Sequence, residues 1–239
     1  MCKTVQRGYA PNDTTEFYGD AAQKLHLAGQ DLYYLLNRGY PIKSASVFVG
    51  NHFLLSERQR LALARAVSSG KSIEKRRSKE LRDIPEGSVV HIDGFNTIIT
   101  LEVALSGSLL LKCMDGTVRD LAALRGTYRL IDKTAQAITM IGKMLERYKI
   151  GKAVFYLDAP VSNSGRLKEQ IGEVLEQFPF EIQIEVIHNV DTTLEKLENV
   201  ITGDAIILDK CKSWINLNSK IIEENLGAYP YVDFSDLSQ

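Results

Sequence analysis

Val89-Val90-His91-Ile92-Asp93-Gly94-Phe95-Asn96, VVHIDGFN, is an apolar run that stops on a carboxylate just before a helix-like stretch begins. A short β-rich run closed by an Asp-Gly pair reads as a buried strand, and the residues near Thr97 to Leu105 read as a helix. The same alternation continues downstream. A strand is expected at Leu109 to Cys113, a helix at Thr134 to Tyr148, a strand at Ala153 to Asp158, a helix at Gly165 to Phe178 and a strand at Ile182 to Ile187. In the Gly165 helix, Leu167, Ile171, Val174, Leu175 and Phe178 share one face. This pattern predicts an α/β fold whose mainly parallel, Rossmann-like sheet is flanked by helices.

The C-terminal region admits two parses. Either Ala205 to Leu208 is a strand, or a strand at Asn199 to Thr202 is followed by a helix over Ala205 to Cys211 and a strand at Trp214 to Leu217. The second keeps the alternation running into the amphipathic stretch Lys220 to Leu226 and is preferred.

Upstream, Ala21, Leu25, Ala28, Leu32, Leu35 and Leu36 follow the spacing of one helix face, and Gly39 then Pro41 stop it. A short helix is expected from Pro41 to Val49. Ser56-Glu57-Arg58-Gln59 is a capping box, with Leu61, Ala64 and Val67 as the expected buried stripe behind it. Three helices thus define a small all-α domain over 13–70, a basic linker or helix occupies 71–86, and the α/β domain spans 87–235.

With 239 residues, 44% of them hydrophobic and 25% charged, the chain can bury one large core or a medium and a small one. The net charge of −1 gives no global field that would draw it to nucleic acid or membrane. Locally the balance differs, because Arg58, Arg60, Arg65, Lys71, Lys75, Arg76, Arg77, Lys79 and Arg82 face only Glu74 and Glu80. Such a run is either a solvated connector or a track for a polynucleotide backbone. Cys2, Cys113 and Cys211 are too far apart to suggest a zinc or disulfide framework and are expected to pack in a reducing compartment. The first twenty residues lack the apolar segment of a signal peptide, and no apolar run approaches the ~18 residues of a membrane span. A cytoplasmic location is the expectation, with no membrane partner.

Side chains at the carboxyl ends of parallel strands converge on one crevice. Asp93 closes HIDGFN, Asp158 closes AVFYLDAP, Asp191 follows EIQIEVI, and Asp204 closes NVITGD. Carboxylates gathered together favour their neutral forms unless a cation sits among them, and Mg²⁺ or Mn²⁺ suits oxygen donors. The chemistry served is phosphodiester hydrolysis, with Asn96 and Thr202 steadying waters or carboxylates. Taken singly, each Asp reads more readily as a helix cap or turn former.

In order, HIDGFN, YLDAP, VDTTLEKLEN and VITGD resemble the acidic motifs of the PIN-like nuclease superfamily, above all its NYN branch. The resemblance covers roughly Ser88 to Asp233. It implies a PIN-like sheet, Asp93, Asp158, Asp191 and Asp204 as catalytic metal ligands with Asn96 beside them, and RNA as the partner. The whole chain is also similar to a largely archaeal two-domain family in which a helical domain precedes this unit. Phe95 departs from the usual Tyr, Gly203 stands where Ser is common, and Met114 to Arg129 lies outside the general nuclease pattern.

That last segment holds Asp115, Arg119, Asp120 and Arg125 in what reads as a polar loop, which either contacts substrate or is held by internal ion pairs. Ser162, Asn163 and Ser164, leading into a helix with Arg166 and Lys168, form either a phosphate site or a simple helix cap. Three functions stand open: a metal-dependent endoribonuclease, a small-molecule phosphatase, and a catalytically silent RNA-binding or protein-interaction module. A homodimer is compatible with all three. HIDGFN lacks the second Asp of a haloacid-dehalogenase nucleophile, and no dinucleotide fingerprint or Walker lysine is present.

Overall fold

The computed structural model describes residues 5–122 and 126–237; Cys2 and Arg125 lie outside them. The chain begins with α1 (Asp13–Phe17), α2 (Asp20–Asn37), α3 (Ile42–His52), α4 (Glu57–Ala66) and α5 (Gly70–Arg77). Then come β1 (Val89–Asp93), α6 (Gly94–Leu105), β2 (Leu110–Lys112), β3 (Val118–Asp120), α7 (Thr134–Arg147), β4 (Lys152–Asp158) and α8 (Ser164–Leu175). It ends with β5 (Glu181–Ile187), α9 (Val190–Leu194), β6 (Val200–Ile201), α10 (Ala205–Lys210), β7 (Trp214–Ile215), α11 (Leu217–Leu226) and β8 (Val232–Asp233). The fold is α/β, and the preferred C-terminal parse is the one the chain adopts.

The main sheet has the order β5-β4-β1-β6-β7, and every pairing in it is parallel. From β1 the chain moves outward through β4 to β5, then returns to place β6 on the other side of β1. The direction of winding therefore reverses between β1 and β6. In open parallel sheets, ligands bind at the carboxyl edge of such a switch point. Here Asp93 ends one of the two strands, and Thr202 to Asp204 directly follow the other. Val90, Ile92, Phe155, Leu157 and Ile201 are nearly or fully buried between the flanking helices, each such side chain contributing ~1.5–3 kcal/mol.

The strand expected at Leu109 to Cys113 does form, but outside the main sheet. β2 pairs antiparallel with β3 and parallel with β8 in a second, three-stranded sheet. The physical reason is that only four residues separate α6 from β2, too few for a crossover back to the main sheet. Alternation then divides the strand between two cores. Leu110 packs into the α/β core, whereas Leu109, Leu111 and Cys113 join Leu25, Leu32, Ala62 and Leu63 in the helical core. The helical region and the α/β unit are thus joined through a shared layer.

Within the helical region the capping box at Ser56 and Gln59 has both of its bonds. The stripe behind it is shifted from expectation. Ala62, Leu63 and Ala66 are buried with Val67, whereas Leu61 and Ala64 are exposed, because α4 presents that face to β2. Of the two readings of the basic segment, linker or helix, α5 is a helix capped by the Ser69 side chain, and Ile73 and Arg76 on it are buried rather than solvated. Cys113 and Cys211 are free, buried packing residues. Among the described residues, no helix is long and apolar enough to cross a membrane.

Candidate active site

Asp93 and Asp204 are N-caps as well as strand-end carboxylates. Asp93 Oδ1 accepts from the Asn96 amide at 3.4 Å, opening α6. Asp204 Oδ1 accepts from the Ile206 and Ile207 amides at 2.8 and 3.2 Å, opening α10. Both helices thus start at the same sheet edge and point their positive ends towards it.

Thr202 ties the two carboxylates together. Its hydroxyl donates to Asp93 Oδ2 at 2.8 Å and accepts from the Asp204 amide at 3.0 Å. Asn96 Oδ1 accepts from the Gly203 amide at 2.7 Å, fixing the loop after β6 against the start of α6. The supporting roles read for Asn96 and Thr202 correspond to these contacts. A side chain at Gly203 would meet Asn96 Oδ1 and the Val118 carbonyl at 3.3 Å, so the glycine keeps this approach open.

Asp93 is only 7% exposed. Burial drives its carboxyl upward; the Thr202 and Asn96 bonds pull it down, and the charges of Asp204 and Asp191 push it up, leaving it at about 7. Asp158, at the end of β4, is raised by burial and then by Asp191. Asp191, exposed in the first turn of α9, is raised by burial, then by Asp204 and Glu195, with Lys210 opposing. The four carboxylates therefore feel one another in sequence from Asp158 through Asp191 and Asp204 to Asp93. They do not close into a cage: among the described residues, no three His, Cys, Asp or Glu side chains are arranged to hold a metal ion.

The polar segment after β2 is not a surface loop. Asp115, Arg119 and Asp120 are 2%, 6% and 6% exposed. Asp115 Oδ2 accepts from Arg76 at 2.7 Å and Arg119 at 2.5 Å, so this residue is sealed inside an ion network. Burial alone would raise its carboxyl; Arg119, Thr117 and Arg76 instead hold it at about 2. Arg76 also grips Asp209 of α10 with two bonds, at 2.7 and 3.0 Å. Arg119 Nε donates to the Gly203 carbonyl at 2.5 Å. Hence α5, the β2–β3 turn and the loop before α10 are bolted together behind Asp204. Asp120 accepts from Thr100 at 2.9 Å and from the Ala122 amide at 2.8 Å, with Arg65 3.8 Å away.

The loop read as either a phosphate site or a helix cap makes bonds within the protein. The Ser162 amide donates to Gly126, Asn163 Nδ2 to the Tyr128 carbonyl at 2.6 Å, and Ser164 Oγ to the Val161 carbonyl at 3.0 Å. Asn163 stands at the N-cap of α8 without a side-chain cap bond. Arg166 and Lys168 are exposed on α8.

A cleft of about 610 Å³ opens between the helical region and the sheet edge. Asn96, Arg119, Asp120, Gly203, Asp204 and Asp209 form one wall; residues of α3, α4, α5 and the α2–α3 turn form the other. Arg65 and Arg76 belonged to the basic run noted in the sequence. Tyr40 and Lys43 were missed there, and the one signal for them was the Gly39 helix stop, which projects the next residues away from α2.

Residues 82–220 match the family model described as a domain of unknown function (DUF5616), and residues 24–79 match a second, described as a protein of unknown function (DUF434). The uncharacterized protein MJ0935 of Methanocaldococcus jannaschii is 38% identical over 200 residues, covering 82% of this chain and 95% of that protein. No solved structure matches. The junction between the two matched segments falls just after α5, where the helical region ends, and with more than half of the chain matched, the protein belongs to the family described as domain of unknown function DUF5616.

Proposed function

We propose that the edge formed by Asp93, Asp158, Asp191 and Asp204 is a divalent-cation site serving phosphodiester hydrolysis, with RNA as substrate. The observation that carries this reading is the Asp93 carboxyl at the switch point of a parallel sheet, raised first by burial and then by the charges of Asp204 and Asp191. Burying mutually repelling acids is costly, and a cation relieves that cost.

The open arrangement of the carboxylates suits Mg²⁺ or Mn²⁺ in particular. Mg²⁺ is commonly held by one or two carboxylates, with waters and substrate phosphate completing its shell. Asp93 and Asp204, steadied by Thr202, would supply the direct oxygens; Asp158 and Asp191 would act through water. When bound, such an ion lowers the pKa of its water and neutralises charge on the phosphate. The protein's own contribution is to hold these oxygens still: Thr202 orients Asp93, Asn96 fixes the Gly203 turn, and Arg119 anchors the same turn from behind. The 3-2-1-4-5 order of the main-sheet strands agrees with the PIN-like resemblance of the four motifs.

The test is incubation of wild-type protein and Asp93→Asn with single-stranded and structured RNA, with and without Mn²⁺. Cleavage that requires Mn²⁺ and is lost in the variant supports the reading; cleavage in chelator, or cleavage indifferent to the substitution, contradicts it.

A further inference from the structure

The cleft has two chemically unlike walls, and an acidic edge alone would repel a phosphodiester. On the helical side Lys43 is exposed and makes no salt bridge among the described residues, and Arg65 is partly exposed above Asp120. Both cations line the same cleft as Asp204.

Tyr40 is placed there by backbone geometry. Gly39 takes φ +83°, the Gly39 amide donates to Leu36 at 3.0 Å, and the Tyr40 amide donates to Leu35 at 3.2 Å, which together form a Schellman stop. The residue at that position usually folds back on the helix. Tyr40 instead stays 55% exposed and lines the cleft, and its hydroxyl has no hydrogen bond among the described residues. Across the cleft, two residues after Asp204, Ile206 is 58% exposed. An exposed aromatic and an exposed aliphatic side chain facing one cavity that Lys43 and Asp204 also line match a flat base joined to a phosphate. The volume is that of a small-molecule site.

We infer that the helical region supplies a nucleotide subsite, in which an unpaired base stacks on Tyr40 while its phosphate is held by Lys43 and directed towards Asp204. This rests on the phosphodiester reading of the acidic edge and adds to it that the strand is single at this point, because a paired base cannot present its face to a side chain. The helical region is then part of the substrate site.

The experiment measures binding of a fluorescein-labelled single-stranded oligoribonucleotide to the full chain by anisotropy in EDTA, over a salt series, beside the matching duplex. Tyr40→Ala should weaken single-strand binding about tenfold, which is ~1.4 kcal/mol, whereas Tyr40→Phe, keeping the ring, stays within about twofold. Lys43→Glu should weaken binding and flatten the salt dependence by at least about one counterion. Tyr40→Ala binding like wild type, Tyr40→Phe failing equally, duplex binding as tight as single strand, or no binding at all would each overturn the subsite. Binding that follows the expected pattern without any Mn²⁺-dependent cleavage would overturn the hydrolytic reading and leave the subsite standing. Mn²⁺-dependent cleavage indifferent to Tyr40→Ala would do the reverse.

Discussion

The Thr202 hydroxyl donates to the Asp93 carboxylate at 2.8 Å, linking the carboxyl ends of two neighbouring parallel strands. The same oxygen receives the Asp204 amide. Thr202→Val keeps the shape and removes both bonds, for a loss of ~2 kcal/mol of stability at ~1 kcal/mol each. Under the proposed function it also lowers Mn²⁺ affinity by about 10–100-fold, the usual cost of losing an outer partner of a ligand. Thr202→Ser restores both. Urea denaturation and Mn²⁺ titration of the two variants check this.

Asp93 makes metal-free stability fall with pH. Its folded-state value of about 7 stands above the ordinary 3.8, so between those values the folded protein keeps a proton that the unfolded chain has released. Stability is therefore undiminished below pH ~4, declines as pH rises towards 7 and levels off above it, by on the order of 4 kcal/mol at 1.36 kcal/mol per unit. Asp93→Asn removes this titration. In EDTA, the melting temperature of the variant relative to wild type should climb between pH 5 and 8; a constant difference would contradict the cause assigned.

Asp115 gives the opposite sign. Its folded-state value of about 2 lies below the ordinary 3.8, so its contribution is fully present above pH ~4 and disappears as pH falls towards 2. Asp115→Asn leaves the buried Arg76 and Arg119 short of a negative partner and should cost ~3–5 kcal/mol. Denaturant midpoints at pH 7 measure the loss, which should shrink at pH 3.

Much of the α/β unit was legible because its strands are apolar runs between amphipathic helices, and β1 and α8 lie where the pattern put them. β3 and β8 were not, since two or three residues are too few to show a period. Arg76 was read as linker charge, and Asp115 and Arg119 as a polar loop that either contacts substrate or is held by internal ion pairs; the ion pairs form, but their burial depends on tertiary contact, which residue type does not show. The strand-end positions of Asp93 and Asp204 could be read from sequence. The cleft could not, because one wall comes from α2–α5 and the other includes residues 203–209 after β6, more than a hundred positions later.

Glu102, in the last turn of α6, is another buried carboxylate, with no exposure. Arg7 pairs with it at 2.7 Å, Tyr128 donates to it at 2.8 Å, and Thr134 donates as well. Tyr128→Phe strips one donor from a buried charge and should cost ~2 kcal/mol in chemical denaturation without altering Mn²⁺ affinity, since this network is apart from the acidic edge.

The most direct measurement is calorimetric titration of Mn²⁺ into the full chain at pH 8, for wild type, Asp93→Asn and Asp204→Asn. Saturable binding by wild type that is lost in both variants is the expected result. Binding of equal strength in all three, or none in wild type, would contradict a cation site at the β1–β6 edge.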